Sequence, residues 1–228
     1  MTLARGMVLD GAVIPGTEIV LRDPNAWWSW ELPADRPDLR LRRHKIDVDG
    51  KHWTAGPSRM GERAAAKVVA AMKARKRPGT TDPMDVSVTF VVSSDGLIFQ
   101  TARYGTVHMG RRVNLRSVGT EHTWPGTEEQ AHELGEHPEV IERTVRGNRV
   151  RVAVPDPRMV AASVELSRLL TDPAVQAATH GFLALPRTTA RTSIPTTGGA
   201  CEHWQYPGTT KVDCGGLLLD ALRSAGWR

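Results

Sequence analysis

The chain has 228 residues, enough for one well-buried domain, and its 40% hydrophobic and 24% charged residues exclude a disordered chain. Thirty Lys and Arg against 25 Asp and Glu give a formal charge of +5, which favours anionic partners; the basic residues are dispersed and carry no nucleic-acid-binding signature. No run approaches the roughly 20 apolar residues that span a bilayer, the stretch 1–16 lacks the continuous apolar centre of a secretory signal, and Cys201 and Cys214 are too few for a disulfide framework. These features predict a soluble protein made in the cytoplasm without a signal peptide, with no stable membrane insertion and no nucleic-acid partner.

Residues 1–40 carry Pro15, Pro24, Pro33 and Pro37 together with Trp27, Trp28 and Trp30, and read as an irregular Trp- and Pro-rich arm whose aromatics pack on the domain's own core. Residues 41–228 form the domain proper. The run 58–77, with Ser58 at a cap position and apolar residues at helical spacing, predicts a helix. Alternation over 86–92, a tight turn at Asp95-Gly96 and a return over 97–101 predict a hairpin. A third strand is expected over 117–122, and the polar segment 127–138 gives at most a weak helix. Residues 140–145 and 149–154, joined by Arg146-Gly147-Asn148, predict a second hairpin inserted over 139–154. The run 156–170 has a Pro at an early helical position and apolar residues three and four apart, which predicts an amphipathic core helix. A short helix follows from Pro173, and another closes the chain over 217–225. The stretch 186–215 is rich in Thr, Gly and Pro without periodicity, and a loop of that length is usually functional. Together these elements predict a single α/β domain with a central mixed β-sheet flanked by helices.

Two segments carry candidate chemistry. His52-Trp53-Thr54-Ala55-Gly56 places a His at the end of an expected strand, running into a turn, where catalytic groups are usually mounted. The second, His203 to Gly216, brings a His, a Lys, a carboxylate and a thiol into the long loop. Two His residues and one further ligand are the protein set that leaves an open position in hydrolytic zinc sites. Asp213 and Cys214 both offer a further ligand from this segment; thiolate is the softer of the two. His44, eight residues before His52, is a less favoured candidate.

Four segments in colinear order resemble the zinc-dependent N-acetylmuramoyl-L-alanine amidases, a family that spans phage amidase lysozymes, anhydro-muropeptide amidases and peptidoglycan recognition proteins. They are KHWTAG at 51–56, SVTFVVSSDGLIFQ at 87–100, VHMGRRVNLRSVGTEH at 107–122 and HWQYPGTTKVDCGG at 203–216. The resemblance runs from about residue 47 to 227 and implies an amidase-like α/β fold. It implies metal ligation by His52, His203 and Asp213, general-base work by Glu121 in Ser117-Val118-Gly119-Thr120-Glu121, and oxyanion stabilisation by Lys211. His108 and Asn114 match residues that bond substrate around the family's cleft. Departures are Thr89 where a His is usual, Glu202-His203-Trp204 where Gly-His-Arg or Gly-His-Ser is usual, Cys214 after Asp213 where a Pro is usual, and polar Asp47, Asp49 and Gly50 in the first strand.

What the resemblance implies is a monomeric, endolysin-like peptidoglycan hydrolase. It would cut between N-acetylmuramic acid and L-alanine with zinc-activated water, on the cell wall, after release across the membrane with help from another protein. The alternatives are a non-catalytic peptidoglycan-binding protein of the same fold and a zinc amidase or peptidase acting on another peptide substrate. A basic nucleic-acid-binding module would leave the His and Asp constellation unexplained.

Overall fold

The computed structural model describes residues 3–9, 12–23, 26, 45–58, 61–75, 79–81, 88–102, 116–179, 182–191, 193, 198–206 and 211–228. Its centre is a parallel group of strands: β5 (Val48–Trp53), β6 (Phe90–Val92), β8 (Ser117–His122) and β11 (Gly199–Glu202), paired in the order β6-β8-β5-β11. Every residue of these strands is buried, as expected where helices or loops cover both faces of a parallel sheet. β7 (Ile98–Gln100) returns antiparallel to β6, and Gly96 in the connecting turn takes a φ of +87°, a conformation that costs a glycine little. This is the hairpin that the alternation and the Asp-Gly pair predict.

Each face buries its own core. Phe90, Val92, Val118 and Trp53 pack against Met159, Ala162, Leu166 and Leu170 of α3 (Pro157–Leu170). On the opposite face Val91, Phe99 and Leu21 meet Ala64, Ala65, Val68, Val69 and Met72 of α1 (Ala64–Lys73). Burial of each large side chain contributes about 1.5–3 kcal/mol, so α1 and α3 are held chiefly by these stripes. Local signals set where the helices begin. Asp156 accepts the Arg158 N–H with Pro157 at the first helical position, and Asp172 accepts the Ala174 and Val175 N–H groups at the start of α4 (Pro173–Ala178). Thr127 and Gln130 form a capping box on α2 (Glu128–Glu133), which makes the polar stretch 127–138 helical in its first half. α5 (Leu217–Ser224) closes the chain. Ser58, expected to cap α1, instead bonds Glu136 through its N–H and its hydroxyl; α1 begins after a 3-10 turn, Gly61–Arg63.

β9 (Val140–Val145) and β10 (Asn148–Ala153) pair antiparallel apart from the main sheet, with Arg146 and Gly147 both at positive φ in a two-residue turn. The second strand starts one residue earlier than expected because the turn needs only these two residues. Val152 and Ala153 bury the hairpin's end against the α3 face.

Two expectations are corrected. Part of the N-terminal arm is regular: β1 (Ala4–Arg5) and β4 (Val20–Arg22) extend the sheet beyond β7, giving the order β1-β4-β7-β6-β8-β5-β11, while β2 (Val8–Leu9) and β3 (Ala12–Val13) pair separately. These strands are too short to display alternation. The Gln100 side chain ties them down by accepting the Val8 N–H at 2.7 Å and donating to the Val8 carbonyl at 2.8 Å. Trp27, Trp28 and Trp30 lie outside the described residues. The 186–215 loop, in turn, contains β11, which adds to β5 only because Gly198 and Gly199 permit close approach. A Cβ at either would stand 2.4 Å from the Asp47 carbonyl or the Thr188 hydroxyl. Among the described residues no helix is long and apolar enough to cross a membrane.

Candidate metal centre

The register of β5 against β8 pairs His52 with Glu121, and paired residues of parallel strands project from the same face. Both lie at the carboxyl ends of their strands and both are buried. Lys51 and His122, one residue away on each strand, face α3 instead. β11 then delivers the chain into a 3-10 turn, His203–Gln205, directly beside His52. The His52 and His203 rings stand 4.2 Å apart between centroids, inclined at 58°. Tyr206 completes the wall, stacked at 6.4 Å from His52 and edge-on at 5.4 Å to His203.

Asp213 approaches from the turn before α5. Its Oδ2 lies 3.4 Å from His52 Nδ1 and 3.3 Å from His203 Nδ1, and one donor atom from each of the three side chains lies within 4.8 Å of the others. Burial by itself would raise the Asp213 carboxyl, but the hydrogen bonds and charges of His203 and His52 outweigh it and hold the group well below the usual carboxylate range. The donor set fits a zinc ion. Bonds of about 2.0–2.1 Å in a tetrahedron place ligand atoms about 3.3–3.4 Å apart, which is the Asp–His spacing found here.

Cys214 stands outside this group. It is fully buried in the α3-side core with Trp53, Val152 and Leu218, and burial together with Glu202, Asp213 and Glu121 pushes its thiol well above the ordinary value. Lys211 is exposed and lines a cavity of about 220 Å³ with Trp53, Thr54, Ala55, Arg75, Gln130, Val212 and Asp213, so the cavity opens onto the carboxylate. His108, Asn114 and His44 lie outside the described residues.

Beneath the site runs a buried polar layer. His122, neutral because burial and the nearby Lys51 charge lower it to about 3, donates Nδ1–H to the His52 carbonyl at 2.6 Å and accepts from the Ser163 hydroxyl at 2.9 Å. Lys51, fully buried, pairs with Asp49 at 2.8 Å and with Ser167 at 2.7 Å, while Ser167 donates to Asp49 at 2.7 Å. Ser163 and Ser167 stand four residues apart on α3, the spacing that puts both on its sheet-facing side. Polar residues inside a strand signalled this layer, since buried polar groups require partners. Tyr206 was visible in the HWQYPG string, but nothing local assigned it a role.

A mixed sheet covered on both faces, with two imidazoles and a carboxylate converging at its carboxyl edge, defines an α/β protein with a candidate metal centre. No protein-family model matches the chain, and no curated protein sequence matches it. Among solved structures the chain is similar to the Ph2119 endolysin from Thermus scotoductus MAT2119 bacteriophage Ph2119, with 16% identity, a TM-score of 0.42 and coverage of 80% of this chain and 88% of that one. It is also similar to PGRP-Hd from Alvinella pompejana, with 19% identity, a TM-score of 0.38 and coverage of 79% and 83%.

Proposed function

We propose that the chain is a zinc-dependent N-acetylmuramoyl-L-alanine amidase that cleaves the amide bond between the lactyl group of N-acetylmuramic acid and L-alanine in peptidoglycan. The observation that carries the reading is the convergence of the Asp213 carboxylate with the His52 and His203 imidazoles beside a cavity lined by Lys211. The colinear likeness of four sequence segments to that family supplies the substrate class.

A Zn²⁺ ion held by His52, His203 and Asp213 supplies, when bound, a Lewis acid that polarises a carbonyl and lowers the pKa of water. The chain's own residues do the rest. Glu121, on the same face as His52, accepts a proton as water attacks the amide carbon. Lys211 opposes the negative charge that develops on the carbonyl oxygen. His108 and Asn114 bond sugar or peptide groups along the cleft. The enzyme works as a monomer on the wall after crossing the membrane with help from another protein, as an endolysin does.

The test is incubation with purified peptidoglycan, with and without a chelator, followed by assay of newly freed L-alanine amino termini. Release that stops with the chelator and returns with zinc is the expected result. Binding to peptidoglycan without any release, zinc restored, would sink the hydrolase reading and leave a non-catalytic wall-binding protein.

A further inference from the structure

The residue before His203 is a glutamate, Glu202, at the end of β11, and its side chain is completely buried. Its register partner is Lys51, so it projects toward the α3 face, away from the two imidazoles. Both carboxylate oxygens are fully engaged. Oε1 accepts the N–H groups of Leu218 and Leu219 at 3.1 and 3.2 Å, in the first turn of α5. Oε2 accepts the Gly216 N–H at 2.6 Å and the Trp204 indole N–H at 2.7 Å. Gly216 lies three residues after Asp213, and Trp204 is the neighbour of His203. One carboxylate thus bonds both chain segments that bring a loop ligand to the candidate centre, in an interior where hydrogen bonds to a charged acceptor are strong.

We infer that Glu202 is a positioning residue for the metal centre: its carboxylate fixes the separation of His203 and Asp213 by tying the 203–205 turn to the 213–217 turn. The inference rests on reading His52, His203 and Asp213 as a metal site. The two turns also meet directly where His203 and Asp213 stand 3.3 Å apart, a spacing that leaves little room for drift. Capping of α5 alone would account for Leu218 and Leu219 but not for the bond to Trp204. A glutamine here keeps one acceptor oxygen and turns an amide N–H₂ toward donors, so it satisfies one side of the bridge at most.

The test uses the full chain with Glu202→Gln, Glu202→Ala and Trp204→Phe, the last removing the His203-side bond while leaving the α5 cap in place. Zinc affinity is read by competition with a chromogenic chelator, the coordination geometry by the visible spectrum of Co²⁺-loaded protein, and folding by the melting temperature of the metal-free form. Zinc binding should weaken about 10- to 100-fold in both Glu202 variants, and about 10-fold in Trp204→Phe with melting nearly unchanged, accompanied by an altered Co²⁺ spectrum. Variants that melt earlier yet bind zinc as tightly, with an unchanged spectrum, would assign Glu202 to capping alone and overturn the inference. Should Glu202→Ala fail to fold, unchanged affinity in Trp204→Phe overturns it equally. A wild-type chain that binds no zinc would instead overturn the metal reading beneath it.

Discussion

Asp213 and Cys214 are neighbours in the chain, yet one meets two imidazoles and the other an apolar core. The backbone explains the divergence: Cys214, Gly215 and Gly216 have φ of 52°, 56° and 85°, three left-handed residues in succession that swing the chain around. Zinc binding should therefore vanish in Asp213→Ala and persist in Cys214→Ala, measured as metal retained after gel filtration; loss confined to the Cys214 variant would reverse the ligand assignment. A second residue-level expectation concerns His122. Its folded value of about 3 lies below the ordinary 6.5, so the unfolded chain takes up the proton first. The stability it contributes is complete above pH 6.5 and is lost as pH falls from there toward 3, at about 1.4 kcal/mol per pH unit. Urea unfolding of the metal-free protein between pH 7 and 4 should show this slope, and His122→Gln should flatten it. An equal slope in the variant would remove His122 as the cause.

At the scale of elements, the connections carry as much constraint as the strands. β5 ends in Trp53, Trp124 lies two residues beyond β8, their rings meet edge-to-face at 5.2 Å, and Gly126 passes directly against the Trp53 ring. Its φ is +89°, and a Cβ there would stand 2.3 Å from the Trp53 ring. Gly126→Ala combines left-handed strain with overpacking and should cost about 3 kcal/mol, read from the denaturation midpoint at unchanged slope. Gly135→Ala, also at positive φ but with open space around it, isolates the backbone contribution at about 1–2 kcal/mol. Similar losses in the two variants would mean that the Trp53 contact carries no weight. The β9–β10 hairpin joins this assembly through the Ala153 N–H, which donates to the Gly126 carbonyl at 2.9 Å. It therefore braces the wall of the site as well as packing on α3.

Over the whole molecule, a formal charge of +5 is distributed over a surface where many arginines already have partners, Arg143 with Asp220 and Arg151 with Glu128 among them. What survives is a diffuse positive field, which favours approach to anionic surfaces, the proposed wall substrate among them, and is screened by salt. Co-sedimentation with purified cell wall should fall several-fold between about 50 mM and 0.5 M NaCl, where the Debye length drops well below 10 Å. Binding that ignores salt would assign wall affinity to the cleft rather than to net charge.

Much of the architecture is written locally. The Asp95-Gly96 and Arg146-Gly147 turns, Pro157 behind Asp156, and the apolar spacing of α1 and α3 are properties of neighbouring residues, and a sequence displays them because turn and helix geometry depend on neighbours. The same holds for His52 at a strand end and for a His, Lys and Asp close together in one loop. Tertiary structure alone decided the rest. β1, β4 and β11 run for two to four residues, too few to show a period, and they exist because an adjoining strand already offers its edge. Whether Asp213 or Cys214 faces the imidazoles depends on a left-handed turn, and Ser167, Ser163 and Gly216, which bond Lys51, His122 and Glu202, lie 116, 41 and 14 residues away. Partners so distant leave no periodic trace; they are set when two faces of a sheet close over polar groups that must be satisfied.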